Sequence, residues 1–329
     1  MSGRGLVTRA GARLRGYFLG LFEGSLGPDG AARLTAALVD GGRPERAILY
    51  AHERLFAHPE HAALHFEAGR AARDKGLFDQ ARVRFAHAAT LKPAEPTYQF
   101  ALGYALHEEK RLPEAGAAYR RVLAVVPNEP RVLFNLAVIE RDLGRPSEAL
   151  ILLARLVEDN PKDTRAWYTK GIVHYERREL TLAQHAFEQT LRREPQHARA
   201  LYQMGAVRLA LGDSTAAETF LRKALARRPG FAVAHYALGR ALAERDTARA
   251  MHHLRESALS AEPVRMAHVE MARLHERAGR IDDALAELRV YLRHCPDDPP
   301  DSAARQLQAR LVGMPRGWRR PGPDAPVKP

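Results

Sequence analysis

Residues 130–163 read PRVLFNLAVIERDLGRPSEALILLARLVEDNPKD. Leu133, Leu136, Ala137 and Glu140 recur at three- and four-residue steps, the spacing of one helix face. Gly144 is placed to stop that helix, because the residue after a helix often turns left-handed and glycine does so without steric cost. Pro146, Ser147 and Glu148 open a second helix. Ala149, Leu152, Leu153, Leu156 and Val157 give it an apolar stripe, and Pro161 ends it, lacking the N–H that the helical ladder needs. The stretch is helix, turn, helix. One such hairpin cannot cover its own apolar face and has to stack on others.

The rest of the chain supplies the others. Proline recurs at 59, 93, 127, 161, 195, 229, 263 and 296, at intervals of 34 and finally 33. Alanine recurs at 47, 81, 115, 149, 183 and 217, and a small residue at Gly69, Gly103, Ala137, Gly171, Gly205 and Gly239. Phe66, Phe100, Phe134, Tyr168, Tyr202 and Tyr236 form an aromatic column in the same phase, for instance in LYQMG at residues 201–205. Four columns with one period mark a tandem repeat. The small column sits where two helix axes approach and a larger side chain would hold them apart.

These residues resemble the tetratricopeptide repeat family, whose 34-residue pattern runs Trp, two residues, Leu-Gly, two residues, Tyr, then Ala, Phe and Pro. Residues 164–197 match it at Trp167, Gly171, Ala183, Phe187 and Pro195, and residues 96–129 at Leu102, Gly103, Ala115, Tyr119 and Pro127. Residues 62–95 match at Gly69, Ala81, Phe85 and Pro93. The resemblance implies an all-α, right-handed α-solenoid superhelix with eight repeats over residues 28–298: 28–61, 62–95, 96–129, 130–163, 164–197, 198–231, 232–264 and 265–298. Two repeats depart from the pattern. The first has Thr35 for glycine and Ala51 for a large apolar residue. The seventh has Met251 and Arg255 at the alanine and phenylalanine positions, where Ala250 and Leu254 are expected to serve instead.

The ends differ from the middle. Residues 299–313 are expected to hold a capping helix with Asp301 as its N-cap and Ala304, Leu307 and Leu311 facing the last repeat. Residues 314–329 are rich in Pro, Gly and Arg, the composition of a disordered basic tail. Residues 1–27 carry Leu6, Val7, Ala10, Leu14, Phe18 and Leu21 at helical spacing, with Arg9 and Arg13 opposite. They read as a basic, weakly amphipathic arm or cap, or as a segment for a membrane surface. The apolar patch YFLGLF, broken by Gly20, makes a poor secretory signal.

Composition narrows the function. The chain has 329 residues, 46% hydrophobic and 27% charged, with a formal net charge of +12. Residues 1–27 hold +3 and residues 299–329 hold +4, so the long middle is nearly balanced. A nucleic-acid groove would put the excess on the body, so no nucleic acid is expected as partner. Cys295 is the only cysteine, which excludes an internal disulfide. No window approaches 18 uninterrupted apolar residues. Arginine far outnumbers lysine, a bias that suggests a GC-rich, bacterial genome. A cytoplasmic location is expected.

No phosphate-binding glycine loop, GxSxG or HExxH occurs. His61 and His65 have metal-ligand spacing, but His61 falls before its helix and no third ligand is evident, so both read as solvated. No catalytic set, metal site or cofactor is expected, and the chain reads as no enzyme.

The resemblance implies that the second, fifth, sixth, ninth, twelfth and thirteenth residues of each first helix look into a concave groove. Those positions include Tyr104, Arg131, Phe134, Asn135, Arg165, Tyr168, Thr169, Arg199, Tyr202, Gln203 and Tyr236. Rings offer area at small entropic cost, amides can pair with a peptide backbone and Arg grips carboxylate. Residues 131–203 are expected to form one ligand-facing strip. The aromatic column taken alone is equally readable as packing between repeats. The family's carboxylate-clamp pattern is not met, since the fifth and ninth positions of residues 130–197 are aromatic or apolar. The expected function is a protein-interaction scaffold or adaptor that holds a partner segment in its groove. The alternative is an assembly or membrane-proximal factor whose basic termini touch anionic lipid or nucleic acid.

Overall fold

The computed structural model describes residues 26–314. The expected arm at 1–27 and basic tail at 314–329 lie outside the described residues except at their inner edges. Among the described residues there are seventeen helices and no strand. In order they are α1 Pro28–Asp40, α2 Pro44–Ala57, α3 Ala62–Asp74, α4 Phe78–Leu91, α5 Pro96–Glu108, α6 Leu112–Val125, α7 Pro130–Asp142 and α8 Pro146–Asp159. There follow α9 Thr164–Glu176, α10 Leu180–Arg193, α11 Ala198–Ala210, α12 Ser214–Arg227, α13 Ala232–Leu242 and α14 Thr247–Leu259. The last three are α15 Met266–Arg277, α16 Ile281–His294 and α17 Ala303–Val312. The chain divides into two compact units, the first ending at Ala166 and the second beginning at Trp167. Within each unit consecutive helices pack on one another, as stacked hairpins require.

The hairpin turns share one backbone solution. The fifteenth residue of the repeat has a left-handed φ at Gly42, Gly76, Gly144, Gly212 and Gly279. Lys110 and Arg178 hold the same position at φ 62°, where a Cβ is crowded. At Gly144 the turn is closed by two backbone bonds, Gly144 N–H to Arg141 O at 2.9 Å and Arg145 N–H to Glu140 O at 2.8 Å. The seventh repeat lacks this left-handed residue. Its first helix ends early, at Leu242, and Asp246 caps α14 by accepting from Arg249 N–H. The missing residue of the 33-residue repeat is therefore in the turn.

The small column packs as its spacing implied. A Cβ added at Gly69, Gly103 or Gly171 would stand 2.6, 2.9 or 2.5 Å from the ring of Phe85, Tyr119 or Phe187. At Gly205 and Gly239 the obstacle is Leu221 and Leu254. Leu254 and Ala250 are fully buried, so the one-residue shift expected in the seventh repeat is present. The first repeat reverses the sizes. Thr35 is buried with its hydroxyl donating to Ala31 O at 2.8 Å, and its counterpart on α2 is the small Ala51. In that pair the larger side chain is on the first helix.

A second recurrent device was not foreseen. The fourth residue of a first helix reaches back to the proline carbonyl that precedes the repeat. His65 Nε2 donates to Pro59 O at 2.7 Å, Gln99 Nε2 to Pro93 O at 3.3 Å and His235 Nε2 to Pro229 O at 2.8 Å. These bonds satisfy loop carbonyls two residues beyond the end of the preceding second helix.

At the C-terminal end Ala304, Leu307 and Leu311 are buried against Ala284, Leu288 and Tyr291, the face expected of them. The N-cap of α17 is Ser302, not Asp301. Its hydroxyl accepts from Arg305 N–H at 3.2 Å and donates to Asp298. No described helix is long and apolar enough to cross a membrane.

Candidate functional site

In the first unit the first-helix residues enclose a hollow of about 410 Å³. Phe66, Phe85, Phe100 and Tyr104 supply its rings, and Thr97 and Ala101 complete the apolar wall. Arg70, Arg73 and Arg131 bring three guanidinium groups to it. Seven of these nine residues are at positions two, five, nine and twelve of their repeats, so helical periodicity gathers them. Phe85 comes from the second helix, admitted by Gly69. A smaller hollow of about 230 Å³ shares Thr97, Phe100 and Arg131 and adds Pro96, Val122, Val126 and Glu129.

The three cations are not equivalent. Arg70 donates to Asp40 at 2.7 Å and Glu67 at 2.8 Å. Burial holds the Glu67 carboxyl above its ordinary value despite the facing arginine. Arg73 donates to Asp74 at 2.8 Å. Arg131 instead lies over the Phe100 ring, its guanidinium carbon 4.6 Å from the ring centre. Among the described residues no carboxylate is within 4 Å of it. A guanidinium stacked on a ring keeps its in-plane donors open.

The expected strip of residues 131–203 falls on both units, and each part is taken within its own. In the first unit Tyr104 and Arg131 line the hollow. Phe134 is half-buried beneath Arg165, whose guanidinium carbon is 5.0 Å from its ring centre and which also reaches Asp163. The amide of Asn135 is already engaged, donating to Tyr119 Oη at 3.2 Å. That bond occupies one amide donor and steadies a buried phenol, whose pKa burial pushes well up.

In the second unit Tyr168 packs between Phe187 and His197, with ring centres at 5.9 and 5.1 Å. Thr169 is only 6% exposed, so it belongs to the packed interior and not to an open face. Arg199 is exposed, and Gln203 is half-buried. Tyr202 packs edge-on to Phe231 at 5.3 Å, and burial raises its phenol pKa. Tyr236 lies under Arg240 at 5.8 Å and is also shifted up by burial.

The aromatic column thus packs against other rings, in three repeats within the helical hairpin itself. Phe66, Phe100 and Tyr168 each tilt against the ring of their own second helix, Phe85, Tyr119 and Phe187, at 5.7, 5.7 and 5.9 Å. Phe66 and Phe100 also keep a face on the hollow. Neither was among the expected site residues, although both stand in the column that was legible.

The two histidines at metal-ligand spacing are structural. His61 caps α3 by accepting Leu64 N–H at 3.2 Å and meets Asp29 at 2.9 Å. His65 is buried, not solvated, and stacks on His87 at 5.0 Å.

Comparison with known proteins bears on the fold. Two family models described as tetratricopeptide repeat match the chain, one over residues 36–96, 66–130, 168–232 and 236–299, the other over residues 106–171. No curated protein matches the sequence. Among solved structures, a tetratricopeptide repeat protein from Parabacteroides merdae superposes with a TM-score of 0.62 at 18% identity, covering 77% of this chain and 99% of that one. PilW, a type IV pilus biogenesis factor, gives 0.53 at 19%, covering 61% and 94%. YrrB, described as having an unusual peptide-binding site, gives 0.50 at 21%, covering 57% and 96%. At these identities the likeness is one of fold.

Proposed function

The chain belongs to the tetratricopeptide repeat family, and from that premise we propose that it is an interaction scaffold whose first unit holds an extended segment of another protein. The observation that carries the reading is the 410 Å³ hollow. It gathers rings, a small wall and cations, seven of its nine lining residues coming from positions two, five, nine and twelve of successive first helices. A concave, mainly apolar site with a few convergent polar groups is the ordinary form of a ligand site. YrrB, similar in fold, is described as binding peptide, which supports the same use here. The proposal assigns no reaction to the hollow.

The test is a random peptide library presented to the protein and to a Tyr104→Ala/Arg131→Ala double variant. Helicity by circular dichroism should be equal in the two. Peptides enriched by the wild type should be lost by the variant. If the variant retains the same peptides with the same affinity, the hollow is not the docking site.

A further inference from the structure

The hollow also specifies what it takes. Arg70 and Arg73 reach it with their charge already matched by Asp40, Glu67 and Asp74. Arg131 brings an unmatched charge to the rim, held by its face on Phe100. Rings form the wall beside it. A ligand that fills the wall with an apolar side chain removes water from the Arg131 edge. A neutral ligand would leave that guanidinium less hydrated and unpaired, whereas a carboxylate would pair with two of its donors.

Resting on the groove reading above, we infer that the partner segment carries a large apolar side chain directly beside a carboxylate, the side chain entering the hollow and the carboxylate meeting Arg131. The carboxylate is that of an Asp or Glu side chain within the segment, in keeping with an extended segment lying along the hollow.

The test uses fluorescein-labelled synthetic peptides with a Gly/Ser background. One has an internal Trp-Asp, one Trp-Asn, one Ala-Asp, and two end in Trp as free acid or as amide. Fluorescence anisotropy is expected to show Trp-Asp binding at least about tenfold more tightly than Trp-Asn or Ala-Asp. Arg131→Gln, an exposed position, should erase the preference for Asp over Asn and keep that for Trp over Ala. The Trp-terminated free acid and amide are expected to bind alike and more weakly than internal Trp-Asp, and a free acid that binds more tightly than internal Trp-Asp overturns the inference. Equal binding of Trp-Asp and Trp-Asn, an Asp preference that survives Arg131→Gln, or no binding by any probe overturns the inference. In each of these cases library peptides lost on the Tyr104/Arg131 double variant would leave the groove reading standing. If those are absent too, both fall.

Discussion

A Cβ on Gly171 would stand 2.5 Å from the Phe187 ring. That contact explains how one repeat differs from its neighbours without losing its packing. The same two positions are Ala137 and Leu153 in the preceding repeat, both fully buried. Gly171→Ala alone should destabilise by about 1–3 kcal/mol through overpacking. Combined with Phe187→Leu it should cost less than the two single changes summed, by about 0.5 kcal/mol or more. Denaturant unfolding of the four proteins measures the coupling, and strict additivity would refute the compensation.

Lys110 is at φ 62° where five other turns have glycine. A left-handed backbone costs an ordinary residue about 1–2 kcal/mol, and glycine gives back part of that gain through its freer unfolded state. Lys110→Gly is expected to raise stability by about 0.5–1 kcal/mol. Gly144→Ala should lower it by about 1 kcal/mol. Midpoints of chemical denaturation check both signs.

Glu140 is buried at the eleventh position of its repeat, where others have Leu38, Ala72 or Leu106. Its carboxylate accepts from Arg120 and, at 3.3 Å, from Arg145. Glu140→Ala leaves two half-exposed guanidinium groups without their partner and opens space. A loss of about 1–3 kcal/mol is expected, less than for a fully buried pair because both arginines keep solvent. Glu140→Leu, which restores the apolar form of the position, should recover part of it. Thermal unfolding of the two variants separates the outcomes.

His253 is pushed down to about 4 by burial, with His235 and His252 beside it. Its Nδ1 is 3.1 Å from that of His235, whose Nε2–H is held by Pro229 O. The neutral pair can therefore share one N–H between the facing nitrogens. The unfolded chain takes up a proton near the ordinary histidine value, and the folded chain only near 4. Between these values the unfolded state binds more protons, so stability is full above about 6.5 and falls as pH drops toward 4. His65 and His275 are lowered by burial and act in the same sense. A melting temperature measured against pH should decline through this window, and less steeply in His253→Gln. An equal slope in the variant would remove His253 from the account.

Much of the architecture was legible in one dimension. Helix pairing, the 34-residue period, the small column and the shifted Ala250 and Leu254 follow from local spacing, because each repeat repeats the same short-range problem. Site positions two, five, nine and twelve were legible for the same reason, and Tyr104 and Arg131 do line the hollow. The identity of a cap was less so. Asp301 and Ser302 are both good caps, and the choice fell to Ser302, whose hydroxyl also donates to Asp298.

Periodicity says which residues share a helix face and cannot say which of them another helix covers. Thr169 and Asn135 were consigned to the groove by their position, yet one is buried and the other bonded to Tyr119. Phe66 and Phe100 were not among the expected residues although Phe134, Tyr168, Tyr202 and Tyr236 of the same column were; an aromatic column looks alike whether it packs or binds, and Phe66 and Phe100 do both. Nor could a list of arginines show that Arg70 and Arg73 are matched while Arg131 stacks on a ring. Those distinctions depend on distances across the chain, and only packing in three dimensions sets them.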